Sequence, residues 1–245
     1  MNMNSLKFEL IIAYYKRPKI VLNALESIIK STYDNWHLTF VDDSGDDSFK
    51  ETFLNFGFDK SKINYTPILM SDEEKVKIGG SIFGKYVNDA IQNTDADIII
   101  LICDDDAIFP DYMENLNKFY TENPDKMWGY CHVEFYNPEI EHYTQSTDVP
   151  GDRTFNTSNL NDYTSPIQPS CRVDSSQVSF RKNVFTQTNL WYPYPHTKDL
   201  DRNVFEKLYE KIGPCHFTNC YGQYKGWFAN QLGVRARTGK GDFIN

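Results

Sequence analysis

No apolar run in this 245-residue chain approaches the roughly 18 residues that a membrane-spanning helix needs, and no basic segment, apolar stretch and small-residue cleavage site open it. These absences predict a cytoplasmic protein with no membrane span. Positive charge is scarce as well. Lys and Arg number 25 against 34 Asp and Glu, a formal net charge of −9 with a pI near 5.0, which argues against nucleic acid as a partner. Five cysteines, scattered and odd in number, make no disulfide framework. Cys215, His216 and Cys220 lack the second pair that a zinc finger requires and read as packed thiols.

Several catalytic signatures are missing. No Gly-x-Gly-x-x-Gly follows the first apolar segment, and no serine sits in a Gly-x-Ser-x-Gly elbow, which excludes a nicotinamide-binding turn and the common hydrolase arrangement. The stretch Gly79–Tyr86 falls short of a phosphate loop because Tyr86 occupies the Ser/Thr place and no buried strand precedes it. A calcium loop beginning at Asp104 needs Gly and Glu where the chain has Phe109 and Asn115.

What the chain does contain is an unbroken apolar run, Ile98-Ile99-Ile100-Leu101-Ile102-Cys103, that ends in three consecutive carboxylates, Asp104, Asp105 and Asp106. A strand buried on both faces does not end in three adjacent negative charges unless positive charge offsets their repulsion and desolvation. Hard oxygen ligands at a strand end suit Mg²⁺ or Mn²⁺ that completes its shell with phosphate oxygens, which implies a diphosphate substrate.

The rest of the pattern alternates strand and helix. Strands are expected over Phe8–Ala13, His37–Val41 and Ile63–Leu69, the last at an edge because of Pro67, with helices over Lys19–Ser31 and Ser81–Gln92. Pro110 opens a further helix, Met127–Tyr136 and Gln177–Arg181 read as strands, and Asp199–Ile212 reads as a helix stopped by Gly213-Pro214. No composition shift divides the chain. The expectation is a single α/β domain with a mostly parallel, Rossmann-like sheet flanked by helices and a ligand site at the carboxyl ends of its strands. The polar, irregular stretch 137–170 reads as a lid over that site.

In order along the chain, several segments resemble the GT-A glycosyltransferases of the family 2 type. Ile11–Pro18 is similar to that family's opening "IIPTYNRP", Ala24–Ile28 to "ALES", Phe40–Ser44 to "VVDDGS" and Val87–Ile91 to "ARNRGI". Ile100–Asp106 with Pro110-Asp111-Tyr112 is similar to "FLDDDDIWLPDYL", Val178–Arg181 to "AMLFRR" and Lys198–Asp201 to "GEDVDL". Departures include Ala13 for Pro, Lys16 for Asn and Lys198 for Glu.

The resemblance implies a nucleotide-sugar-dependent, inverting transferase that uses Mn²⁺ or Mg²⁺, with a UDP-sugar donor and a saccharide or other hydroxyl acceptor. It divides the chain into a donor half over 1–106, an acceptor half over 107–225 and a tail over 226–245. Donor contacts fall on Ala13, Tyr15, Arg17, Asp43, Lys85, Asp104 and Asp105, and the metal on Asp105 and Asp106. Counting back from Pro110 puts the family's metal-binding aspartate on Asp105 and its first acid on Cys103, whereas the acid pattern points to Asp104 and Asp106. Asp199 takes the place of the general base, with Asp201 in reserve. Trp191 and Tyr192 are expected to border the acceptor, and Lys225, Arg235 and Arg237 are candidate cations for the diphosphate. The alternative is a non-catalytic nucleotide- or carbohydrate-binding relative, favoured by Cys103 and Lys198.

Overall fold

The computed structural model describes residues 5–136, 175–195 and 200–226. The predicted lid, Asp199, Lys198, Arg235 and Arg237 therefore lie outside the described residues, as do the side chains of Leu200, Asp201 and Arg202.

Four parallel strands carry the amino-terminal half: β1 (Phe8–Tyr14), β2 (Trp36–Asp42), β3 (Ile63–Pro67) and β4 (Ile98–Cys103). With β5 (Ala107–Ile108), β6 (Trp128–Tyr136), β7 (Val178–Arg181) and β8 (His216–Gly226) they form one sheet in the order β3-β2-β1-β4-β7-β6-β8-β5. Strand β3 lies at the edge, where the missing N–H of Pro67 breaks no ladder. Strand β7 runs antiparallel to β4 and β6, while β6 and β8 are parallel to each other.

Helices cover both faces. The even residues of β1, namely Phe8, Leu10, Ile12 and Tyr14, pack with Val21, Ala24, Leu25 and Ile28 of α1 (Val21–Ile29), and with Tyr112, Met113 and Leu116 of α5 (Tyr112–Glu122). On the opposite face Ile11, Ile99 and Leu101 meet Val87 and Ile91 of α4 (Phe83–Asn93), Val184 and Phe185 of α6 (Asn183–Thr188), and Val204, Phe205 and Leu208 of α7 (Leu200–Ile212). Each Val, Leu, Ile, Phe or Met side chain among them, fully removed from water, contributes about 1.5–3 kcal/mol. Two short helices, α2 (Lys50–Leu54) and α3 (Asp72–Lys77), flank β3.

A buried carboxylate lies on this second face of β1. Glu9 of β1 is 1% exposed, and its carboxylate accepts from the Thr39 and Thr94 hydroxyls at 2.7 Å each and meets His37 Nδ1 at 3.0 Å. Buried carboxylates persist where such partners offset their desolvation.

The parallel register sets the site. Tyr14 lies opposite Asp42 and Ala13 opposite Cys103, so the carboxyl ends of β1, β2 and β4 finish side by side. The residues that follow each strand, Tyr15 to Arg17, Asp43 and Asp104 to Asp106, emerge together. Strand β8 returns to the same corner. Its carboxyl end places Gly226 so close to the acidic turn that a Cβ there would lie 2.1 Å from the Asp105 carbonyl oxygen, an approach open only to glycine.

Candidate functional site

All three carboxylates of the turn are buried, at 1%, 3% and 0% exposure for Asp104, Asp105 and Asp106. Positive charge from the protein meets each of them. The Arg17 guanidinium grips Asp104 as a fork, with Nε donating to Oδ2 at 3.1 Å and Nη2 to Oδ1, while Nη1 donates to Asp105 Oδ2 at 2.8 Å. The Tyr15 backbone N–H adds a bond to Asp104 Oδ2 at 3.0 Å. On the other side Lys225 Nζ donates to Asp106 Oδ2 and to Ser176 Oγ, both at 3.0 Å, and the Gly226 N–H donates to Asp106 Oδ1 at 3.0 Å. Charge-assisted bonds of this kind hold an otherwise repulsive turn together.

These pairings set the electrostatics. Burial pushes the Asp104 carboxyl well above the usual carboxylate range, Arg17 pulls it down and neighbouring Asp105 pushes it up again. The Arg17 guanidinium is in turn held more firmly protonated, since its two aspartate partners outweigh its own partial burial. Cys103 Sγ and a carboxylate oxygen from each of Asp105 and Asp106 lie within 4.8 Å of one another, a donor set that fits a divalent cation.

A second ionic cluster stands beside the first. The side chain of Lys75 on α3 is only 8% exposed. Its ammonium lies 2.8 Å from Asp43 Oδ1 and directs an N–H to the Asp43 carbonyl oxygen, while the Ser81 hydroxyl donates to Asp43 Oδ2 at 2.8 Å. The same ammonium sits 5.4 Å above the Tyr15 ring, whose hydroxyl donates to Asp72 Oδ2 at 2.8 Å. Lys16 Nζ reaches that oxygen at 2.6 Å and, with the Tyr15 hydroxyl, holds the Asp72 carboxyl below its ordinary value. Helix α3 begins at a capping box in which the Ser71 hydroxyl accepts from the Glu74 N–H and the Glu74 carboxylate from the Ser71 N–H. That Ser-x-x-Glu spacing was the sequence signal for a helix which the apolar pattern missed, and Lys75 with it.

The structure thus gathers Tyr15, Arg17, Asp43, Asp104, Asp105 and Asp106, with Ala13 half-buried at the end of β1. It separates two others. Lys85 Nζ donates to Asp89 on its own helix at 2.5 Å, with no site carboxylate among its partners in the described residues. Tyr192, expected to border an acceptor, is 2% exposed and packs against Phe185, while the Asn88 side chain bonds its backbone N–H and carbonyl at 2.9 Å each. A ring so enclosed offers no face to a sugar, which corrects that expectation. Trp191 is half-buried on Phe185, and Tyr194 is 51% exposed. Lys225, a candidate cation for the diphosphate, belongs to β8 and meets Asp106.

Comparison with known structures places this architecture. The chain superposes on Staphylococcus aureus TarS 1–349 with a TM-score of 0.61 at 16% identity, covering 90% of this chain and 60% of that one. The same protein in complex with UDP-GlcNAc gives 0.64 at 14% identity, covering 92% and 60%. The fold is that of the GT-A glycosyltransferases. The glycosyl transferase family 2 model matches residues 9–220, so the chain belongs to that family. Among curated proteins, Protein CgeD of Bacillus subtilis (strain 168) is 22% identical over 148 residues, 58% of this chain and 34% of that protein. The chain therefore spans about a third of that relative's length. Among the described residues no helix is long and apolar enough to cross a membrane.

Proposed function

We propose that the protein is a metal-dependent, inverting glycosyltransferase that moves a sugar from a nucleoside-diphosphate sugar, with a UDP-sugar as the leading donor, to an acceptor hydroxyl. The observation that carries this reading is the meeting of Tyr15, Asp43 and the Asp104–Asp106 turn at the carboxyl ends of β1, β2 and β4. TarS, which shares the fold, is known in complexes with UDP-GlcNAc and with UDP.

In this reading Asp43, paired with Lys75, accepts the imide N–H of the base, and the Tyr15 ring borders it. Asp104, oriented by Arg17 and the Tyr15 N–H, accepts from the ribose hydroxyls. Asp105 and Asp106 hold Mn²⁺ or Mg²⁺, which when bound offsets the charge that develops on the departing diphosphate. Asp199, immediately ahead of α7 in the chain, takes the proton of the attacking acceptor hydroxyl, and Asp201 is its reserve. Trp191 is the remaining acceptor-side platform.

The test is release of nucleoside diphosphate from a panel of nucleotide sugars, with and without Mn²⁺ or Mg²⁺. Metal-dependent release that disappears in Asp105→Ala and Asp199→Asn supports the assignment. Tight UDP binding with no turnover across a broad acceptor set supports instead a non-catalytic nucleotide-binding relative. The full compensation of Asp104 and Asp106 by Arg17 and Lys225 is the observation that favours this second reading.

A further inference from the structure

We propose that Cys103 ligates the divalent cation of the donor site through its thiolate, and so tilts the site from Mg²⁺ toward softer cations such as Co²⁺ and Zn²⁺. The inference rests on the donor-site reading above and adds which cation that site takes. Cys103 ends β4 one residue before the acidic turn, and its carbonyl accepts the Asp106 N–H at 3.1 Å, which closes a tight turn over Cys103–Asp106. Its Sγ shares a 4.8 Å sphere with an oxygen each from Asp105 and Asp106. Two ligands on one ion lie at most about 4.5 Å apart, given metal–sulfur and metal–oxygen bonds of about 2.3 and 2.2 Å, so a small side-chain adjustment brings all three onto one centre.

Exposure points the same way. Cys103 is half-buried, whereas Cys131, Cys215 and Cys220 are buried. Thiolate is a soft ligand, and replacing a hard oxygen by it favours cations later in the first transition row over Mg²⁺. On ligation the S–H proton passes to solvent and the sulfur lone pair to the ion, so no oxidant or reductant is consumed.

The experiment uses the full chain with UDP and titrates Co²⁺, Zn²⁺ and Mg²⁺ in turn. Near-ultraviolet absorption follows the thiolate-to-Co²⁺ band, and mass spectrometry follows iodoacetamide labelling of Cys103. The expected result is a band in the wild type that survives in Cys131→Ser and vanishes in Cys103→Ser. Co²⁺ or Zn²⁺ should slow labelling of Cys103 by about tenfold or more where Mg²⁺ does not, and Cys103→Asp should restore preference for Mg²⁺. The labelling arm needs only wild-type protein, so it decides even where a variant fails to fold. Co²⁺ bound without the band, no Co²⁺ bound, or an unchanged labelling rate overturns the proposal. UDP and Mg²⁺ binding with no thiolate band removes the cysteine ligand and leaves the donor reading standing; a thiolate band without UDP binding does the reverse.

Discussion

Lys75 offers the sharpest quantitative test of the second ionic cluster. Replacing it by Met keeps the volume of the stem and deletes the charge that faces Asp43. The two side chains are 8% and 13% exposed, which places the pair among buried rather than surface ion pairs. Removing one partner of a buried pair costs about 3–5 kcal/mol, because the other charge stays desolvated and alone. Asp43 keeps the Ser81 hydroxyl, so the lower end of the range applies. We expect Lys75→Met to lose about 3 kcal/mol, on the order of a hundredfold in the folding equilibrium, with the urea midpoint lowered and the slope unchanged. Asp43→Asn alone and the double variant complete a cycle in which the second change adds little to the first. UDP affinity should fall in parallel, since Asp43 loses the ammonium that fixes its position beside the base. A loss below about 1 kcal/mol, or singles that simply add, would refute the buried-pair argument.

Other consequences follow from single contacts. Gly226→Ala drives a Cβ into the Asp105 carbonyl and should cost about 1–3 kcal/mol while weakening donor binding, measured by unfolding and calorimetry. Thr39→Val with Thr94→Val strips two donors from the buried Glu9 carboxylate and should cost about 1–3 kcal/mol per site, with catalysis at saturating substrate unaffected. Asp104, whose carboxyl is raised by burial, contributes stability that is fully present below the ordinary carboxylate range and lost as pH rises through its raised value. The difference in unfolding free energy between wild type and Asp104→Asn should therefore shrink or change sign from acid toward neutral pH, and a flat difference would contradict the shift.

The parts of the fold legible in the sequence are those in which burial dictates residue type. Strand β4 is five consecutive aliphatic residues and a cysteine because helices cover both of its faces. Pro67 marked β3 as an edge because a central strand cannot spare its N–H. Strand β8 escaped because its burial alternates through small and polar residues, Thr218 and Gly222 inward with Asn219 and Tyr221 outward, so no apolar period appears. Lys75 escaped as a site residue for a related reason, and Lys225, read as a candidate cation for the diphosphate, gave no sign of its pairing with Asp106. A lysine in the sequence reads as surface, and only tertiary packing shows that its charge is spent on a buried aspartate. Tyr192 failed in the other direction, because an aromatic cluster interrupted by prolines gives no sign of which ring turns inward.

The measurement that bears most directly on the account is nucleoside diphosphate release from UDP-sugars and other nucleotide sugars by wild type, Asp105→Ala and Asp199→Asn, each with and without divalent cation. The account predicts cation-dependent release by the wild type alone. Release that persists in Asp105→Ala without any cation would contradict it.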